Sequence, residues 1–151
     1  MRLNHNIGND LANMLIGNAA TNILNGGAGA DTFKSGLGDD FYIVDLAGDT
    51  VVENASEGID TVQAAVTYIL AANVENLTLT GLAAINGIGN TLANTLNGNA
   101  AADTLNGGNG ADTAQSSVTF TLAANMWTTA WTAQCICLNR QVRTRWSAVR
   151  D

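Results

Sequence analysis

A period of nine residues governs the first part of this chain. From Gly8 the sequence divides into GNDLANMLI, then GNAATNILN from Gly17, GGAGADTFK from Gly26 and SGLGDDFYI from Ser35. A fifth unit, VDLAGDTVV from Val44, keeps the sixth and eighth positions. The eighth positions are Leu15, Leu24, Phe33, Tyr42 and Val51, all apolar; the sixth are Asn13, Asn22, Asp31, Asp40 and Asp49, all bearing a side-chain oxygen. Nine residues match neither the 3.6-residue period of a helix nor the two-residue alternation of an amphipathic strand. They match a short strand followed by a tight turn, with one inward apolar side chain per unit stacking on its neighbours to fill a thin core. Glycine supplies the positive φ angles that such turns need, and Asn and Asp close turns by bonding to nearby backbone.

The pattern is duplicated. Gly8 to Thr32 and Gly89 to Thr113, 81 residues apart, are identical at 18 of 25 positions. In the second copy the sixth positions are Asn94, Asp103 and Asp112, and the eighth are Leu96, Leu105 and Ala114. Between the copies, Thr50-Val51-Val52, Thr61 to Ile69 and Val74 to Leu79 are rich in β-branched residues with partial alternation, as strands are. Residues 50–88 therefore read as less regular coils of the same solenoid, the alternative being a small separate β-sheet. The expected domain plan is a frayed terminus at 1–7, a solenoid over 8–125 (long repeat 8–88, incomplete second copy 89–125) and an aberrant tail over 126–151.

Composition narrows the function. Sixteen glycines, no proline and 5% aromatic residues suit an architecture carried by backbone rather than by a large-residue core. A net charge of −7 excludes nucleic acid as a partner, because phosphate recognition needs Lys and Arg; an acidic surface suits cations. No stretch approaches the roughly 18 apolar residues of a membrane helix, and the residues after Met1 have no apolar signal-peptide core. The charge is unevenly placed: residues 1–125 carry −10 and all the glycines, whereas residues 126–151 carry +3, all three Trp and both Cys.

The unit GGAGADTFK fits the pattern G-G-x-G-x-D-x-U-x, and the unit from Ser35 fits it with Ser in place of the first Gly. The chain thus resembles the hemolysin-type repeats of the repeats-in-toxin (RTX) family over about residues 8–125. The stretch from Gly48 to Asn90 also looks like long-period repeats of large secreted bacterial proteins of this group. The resemblance implies a right-handed parallel β-roll whose turns alternate between two sides, so that turns on one side are eighteen residues apart. Calcium then sits between turns, bound by sixth-position Asp and by glycine-turn carbonyls. Carried onto this sequence, the metal residues are Gly26, Gly27, Gly29, Asp31, Gly36, Gly38, Asp40, Asp49, Asp60 and Asp112. Asp31 pairs with Asp49, and Asp40 with Asp60 once two inserted residues near Ser56-Glu57 are allowed. Asp112 faces only Asn94, and Asp103 faces Ile85, so the second copy is expected to hold one weak site or none. The resemblance further implies calcium-dependent folding, export by type I secretion, and calcium ions as partners. It places the chain outside the cell. A monomer is expected, and contact with an extracellular surface or polysaccharide is left open for the parent protein. Rival functions are a structural or adhesive repeat segment, and the accessory tail of a secreted enzyme whose catalytic domain lies elsewhere.

No catalytic site is expected in the chain itself. Asp39-Asp40 are adjacent on a turn and point apart, whereas paired catalytic carboxylates share a cleft. His5 is the only histidine and lacks partners, and no zinc spacing occurs. Gly26 to Asp31 lacks the Lys of a phosphate loop. Cys135-x-Cys137 is read as two incidental thiols. The tail has a sharp origin. TVQAAVTYILAAN from Thr61 and TAQSSVTFTLAAN from Thr113 align at an offset of 52, after which Val74-Glu75-Asn76 is matched by Met126-Trp127-Thr128. A shift of reading frame at that point would explain the simultaneous change in charge, Trp, Cys and Gly; the alternative is a genuine short domain or signal, a basic, Trp-bearing segment suited to a membrane surface.

Overall fold

Short strands separated by tight turns are what the chain forms. The structure, a computed structural model, describes residues 4–116 and, beyond them, the strand segments Thr121–Leu122, Met126–Thr128 and Ile136–Cys137. There is no helix among the described residues; sixteen strands of two to four residues alternate between two faces of a solenoid of about six turns. One face is a single eight-stranded sheet running from Asn4–Ile7 to Met126–Thr128. The other is divided into a three-stranded sheet (Met14–Ile16, Thr32–Lys34, Thr50–Val51) and a five-stranded sheet from Tyr68–Ile69 to Ile136–Cys137. Every pairing is parallel.

The register follows the repeat. His5 pairs with Ile23 and Ile23 with Phe41, eighteen residues per coil. Phe41 then pairs with Thr61 after twenty, the two extra residues falling beside Ser56, which takes a positive φ of 67°. The next coil is shorter, Thr61 pairing with Asn76. Residues 50–88 are therefore coils of the same solenoid.

Inward side chains stack along the axis. Leu24, Tyr42, Val62, Leu77, Leu96 and Ala114 form one column in the long sheet, all fully buried. Leu15, Phe33 and Val51 form a second, and all the eighth-position residues lie in the core. In the third column Gly87 lies between Tyr68 and Leu105; a Cβ there would press on Leu77 and Leu105 at 3.0 and 3.1 Å, so glycine leaves room for its large neighbours. The core is one or two side chains wide, and the turns that close each coil carry more of the fold than they do in a thicker domain.

The solenoid differs from the expected plan at its start. Asn4–Ile7, expected to fray, pairs along its whole length with Asn22–Asn25. A coil consists of two strands and two turns, so the strand entering the turn at Gly8 belongs to it, and His5 lies on that strand. At the other end, Met126–Thr128 and Ile136–Cys137 pair with Asp112–Ala114 and Thr121–Leu122. The rest of residues 126–151, and with it the reading of Cys135-x-Cys137, lies outside the described residues. No helix among those described is long and apolar enough to cross a membrane.

Candidate metal centre

Turns on one side of the solenoid are tied together by their sixth positions. The Asn13 N–H donates to Asp31 Oδ1 at 2.8 Å and the Asp31 N–H to Asp49 Oδ1 at 2.9 Å. On the opposite side the Asn22 N–H donates to Asp40 Oδ1 at 2.7 Å, and the Asp40 N–H to Asp60 Oδ1 at 2.9 Å. The second copy repeats the device, with Asn94 donating to Asp112 and Ile85 to Asp103. Each of these side chains thus has one oxygen spent on the neighbouring coil. What the second oxygen does separates two kinds of turn.

In the first kind the turn closes on itself. The second-position Asn N–H donates to the sixth-position side chain: Asn9 to Asn13, Asn18 to Asn22, Asn90 to Asn94 and Asn99 to Asp103, at 2.7–2.9 Å. The second-position Asn oxygen in turn accepts the N–H of the fourth residue, as Leu11 to Asn9 and Ala20 to Asn18. Asp49 is satisfied in a similar way, its Oδ2 accepting from Asp45 and Leu46. Asp103 and Asp49 therefore have both oxygens in use.

The second kind is left open. In the turns beginning at Gly26, Ser35 and Gly107, the second and fourth residues are glycines with positive φ: Gly27 and Gly29, Gly36 and Gly38, Gly108 and Gly110. This left-handed path costs other residues about 1–2 kcal/mol. Asp31, Asp40 and Asp112 close these turns, and each keeps a buried Oδ2 with no hydrogen-bond partner, as does Asp60. A buried carboxylate oxygen left alone is costly and demands an explanation. Lys34 is the one Lys or Arg in residues 4–116, so among the described residues basic side chains are too few to neutralise this ladder. A hard cation has the charge and coordination for it: calcium takes six to eight oxygens, carboxylate and carbonyl together. A first-position glycine also makes room, since a Cβ at Gly26 or Gly107 would overlap the carboxylate of Asp31 or Asp112. Residue types and orphaned oxygens fit calcium at these turns.

The family model of the RTX calcium-binding nonapeptide repeat matches the chain in four copies, over residues 7–42 and 88–114. These stretches are RTX repeats. No curated protein and no solved structure matches the chain. The three open turns all lie within or at the edge of the matched RTX segments, whereas Asp49 and Asp60 belong to the irregular coils between them.

The structure also adds residues that the repeat pattern did not single out. Glu53 is buried beside Asp40 and Asp60, and one carboxylate oxygen from each of the three lies within 4.8 Å of the others. Ser35 Oγ donates to Glu53 Oε1 at 2.6 Å, and the Tyr42 hydroxyl donates to the same oxygen. Glu75 accepts the Asp60 N–H at 2.9 Å. Burial holds the carboxyls of Asp40, Glu53 and Asp112 above the ordinary range. It pushes Asp60 up to about 7, with the charges of Glu53 and Asp40 adding to the effect. Burial, then Glu53, raises the Tyr42 hydroxyl too, so it remains a donor. Asp39 is exposed and accepts the Ile59 N–H of the next turn at 2.9 Å, a structural task separate from that of Asp40. A signal for Glu53 was present in the sequence: with Ser56-Glu57 taken as the insertion, ENA-GID places Glu53 at position one and Asp60 at position six of a further unit.

Proposed function

We propose that this chain is a calcium-binding module that completes its folding when calcium binds, with no catalytic site of its own, and that it serves in a bacterial protein exported from the cell. The observation that carries the reading is the set of buried, unpartnered oxygens on Asp31, Asp40, Asp60 and Asp112, placed against glycine turns. Asp31 supplies the unpartnered oxygen of one site, with carbonyls of Gly26, Gly27 and Gly29 and with Asp49, whose long 3.2 Å bonds from the Asp45 and Leu46 N–H yield to the ion. Asp40 with Asp60 forms another, with Gly36 and Gly38. Asp112, opposite neutral Asn94, holds an ion weakly. Without calcium the stacked carboxylates repel one another, and the binding free energy of the ion is available as folding free energy. Export through a channel suits an unfolded, calcium-poor chain, and the calcium-rich exterior suits the folded one. Residues 126–151 carry no site in this reading; their basic, Trp-bearing composition breaks with everything before them.

The test is far-ultraviolet circular dichroism with chelator and then with millimolar calcium. β-structure and melting temperature are expected to rise with calcium; at about 100 times the dissociation constant the ion adds about 2.7 kcal/mol. Identical spectra and melting curves in the two conditions reject the proposal.

A further inference from the structure

Position one of each turn is a place where side chains are normally absent. In the column Gly17, Ser35, Glu53, successive coils put nothing, then a hydroxymethyl group, then a carboxyethyl group at that place. The glycine at Gly17 is required, since a Cβ would collide with the Asn22 side chain and the Ser35 backbone. At Glu53 the place is filled by a third carboxylate, pointed at the two sixth-position aspartates of its own and the preceding turn. All three are at least nine-tenths buried, with relative exposures of 2%, 8% and 1% for Asp40, Glu53 and Asp60. Each keeps an oxygen without a partner. Ser35 and Tyr42 both spend their hydroxyls on Glu53 Oε1 and lie 2.5 Å from each other, which fixes the carboxylate plane and leaves Oε2 free.

We propose that Asp40, Glu53 and Asp60 form a three-carboxylate calcium site distinct in composition from the repeat-turn sites, with Glu53 as a ligand from the irregular turn and Ser35 and Tyr42 as its positioning residues. The inference rests on the calcium reading of the repeat turns and adds a ligand that their signature does not contain. Two oxygens sharing an ion at about 2.3–2.6 Å lie at most about 5 Å apart, a condition that three oxygens within 4.8 Å of one another meet. Three negative charges on one ion exceed what the Asp31 turn brings, so this site is the tighter one and accepts trivalent lanthanides readily. The replacement of the first glycine by Ser35, a defect in the repeat pattern, becomes the support for Glu53.

Terbium, a luminescent stand-in for calcium, tests this on the full chain. Ion bound here sits next to Tyr42, and emission excited through tyrosine is expected; Tyr42→Phe removes it, and Tyr68→Phe leaves it. In calorimetric calcium titrations, Glu53→Gln is expected to weaken one site by more than about tenfold and leave the Asp31 site unchanged. Asp31→Asn does the reverse and keeps the terbium signal. Ser35→Ala, which retains all three carboxylates, costs about tenfold at the same site and serves if Glu53→Gln does not fold. Wild-type affinity and stoichiometry in Glu53→Gln and Ser35→Ala, with an ion lost in Asp40→Asn, overturn the role of Glu53 while the repeat-turn reading stands. Loss of no ion in either Asp31→Asn or Asp40→Asn overturns the repeat-turn reading itself. Tyrosine-excited emission that Tyr42→Phe leaves intact also overturns the proposal.

Discussion

A carboxylate and a carboxamide differ by one heavy atom, and at the sixth position of a glycine turn that atom is a buried oxygen without a hydrogen-bond partner. Asn13, Asn22 and Asn94 each offer a neutral oxygen that accepts an N–H from their own turn. Asp31, Asp40 and Asp112 each keep an oxygen that nothing satisfies. Calorimetry on single variants should follow this division: Asp31→Ala and Asp40→Ala weaken calcium binding at least about tenfold, whereas Asp103→Ala, whose two oxygens are already spent on Ile85 and Asn99, has a smaller effect. Asp103→Ala emerging as the worst of the three contradicts the division. Burial of the carboxyls of Asp60, Asp40, Glu53 and Asp112 gives the metal-free protein an unusual response to acid. Asp60 ionises at about 7 in the fold against an ordinary 3.8, so the folded state holds a proton that the unfolded chain has released throughout that interval. Stability from this group is therefore full below 3.8 and is lost as pH rises through 7, and Asp40, Glu53 and Asp112 act in the same direction. Melting with chelator present should occur at higher temperature at pH 5 than at pH 8. Calcium affinity should change the opposite way, weakening on acidification as protons compete for the ligands. A metal-free melting temperature that climbs from pH 5 to pH 8 argues against buried, uncompensated carboxyls.

At the scale of the element, each nine-residue unit is a strand with an interchangeable turn. Replacing residues 26–31, GGAGAD, by the sequence of residues 17–22, GNAATN, exchanges an open turn for a self-closed one. The chimera should melt higher than the parent in chelator, lower than the parent in calcium, and bind one ion fewer; a chimera still as calcium-dependent as the parent counts against the exchange. The strands depend on apolar stacking instead. Leu77, fully buried between Val62 and Leu96, should cost about 2–5 kcal/mol on change to Ala, measured by urea unfolding in saturating calcium; a loss below about 1 kcal/mol means that the column is not the core. Much of this level was legible from sequence, because one apolar and one oxygen-bearing residue at fixed offsets leave little choice of coil. The position of Asp60 opposite Asp40 is legible in the sequence, because a two-residue insertion restores the register between them. Glu53 is hidden from the repeat pattern because position one normally holds glycine, and a pattern built on absent side chains gives no weight to one that is present. The strand Asn4–Ile7 lies outside the nine-residue frame, which opens at the turn of Gly8, and pairing is a property of backbone that local sequence reports weakly.

Across the whole molecule, stability is a sum over coils and their neighbours, and the two copies contribute differently. The coils between Asp31 and Glu75 gather most of the acidic side chains, including four of the five buried carboxylates that keep an unpartnered oxygen. The coils from Asn90 to Asn106 are closed by Asn90, Asn94 and Asn99, whose side chains also reach back to carbonyls of the preceding coil: Asn90 to Ala71 and Val74, Asn94 to Val74, Asn99 to Thr80 and Ala83. Removing calcium should therefore loosen the molecule from the acidic half. Hydrogen exchange offers the measurement, since amides that donate to the carboxylate ladder report directly on it. In chelator, the amides of Asn22, Asp31 and Asp40 should exchange at least about tenfold faster than in calcium, whereas those of Thr95 and Leu105, in the asparagine-closed coils, should change less. Opening of a few coils without global unfolding is the behaviour of a linear array whose units differ in stability. Equal loss of protection along both copies shows instead that the solenoid melts as one unit, with calcium acting on the whole rather than on the turns that bind it.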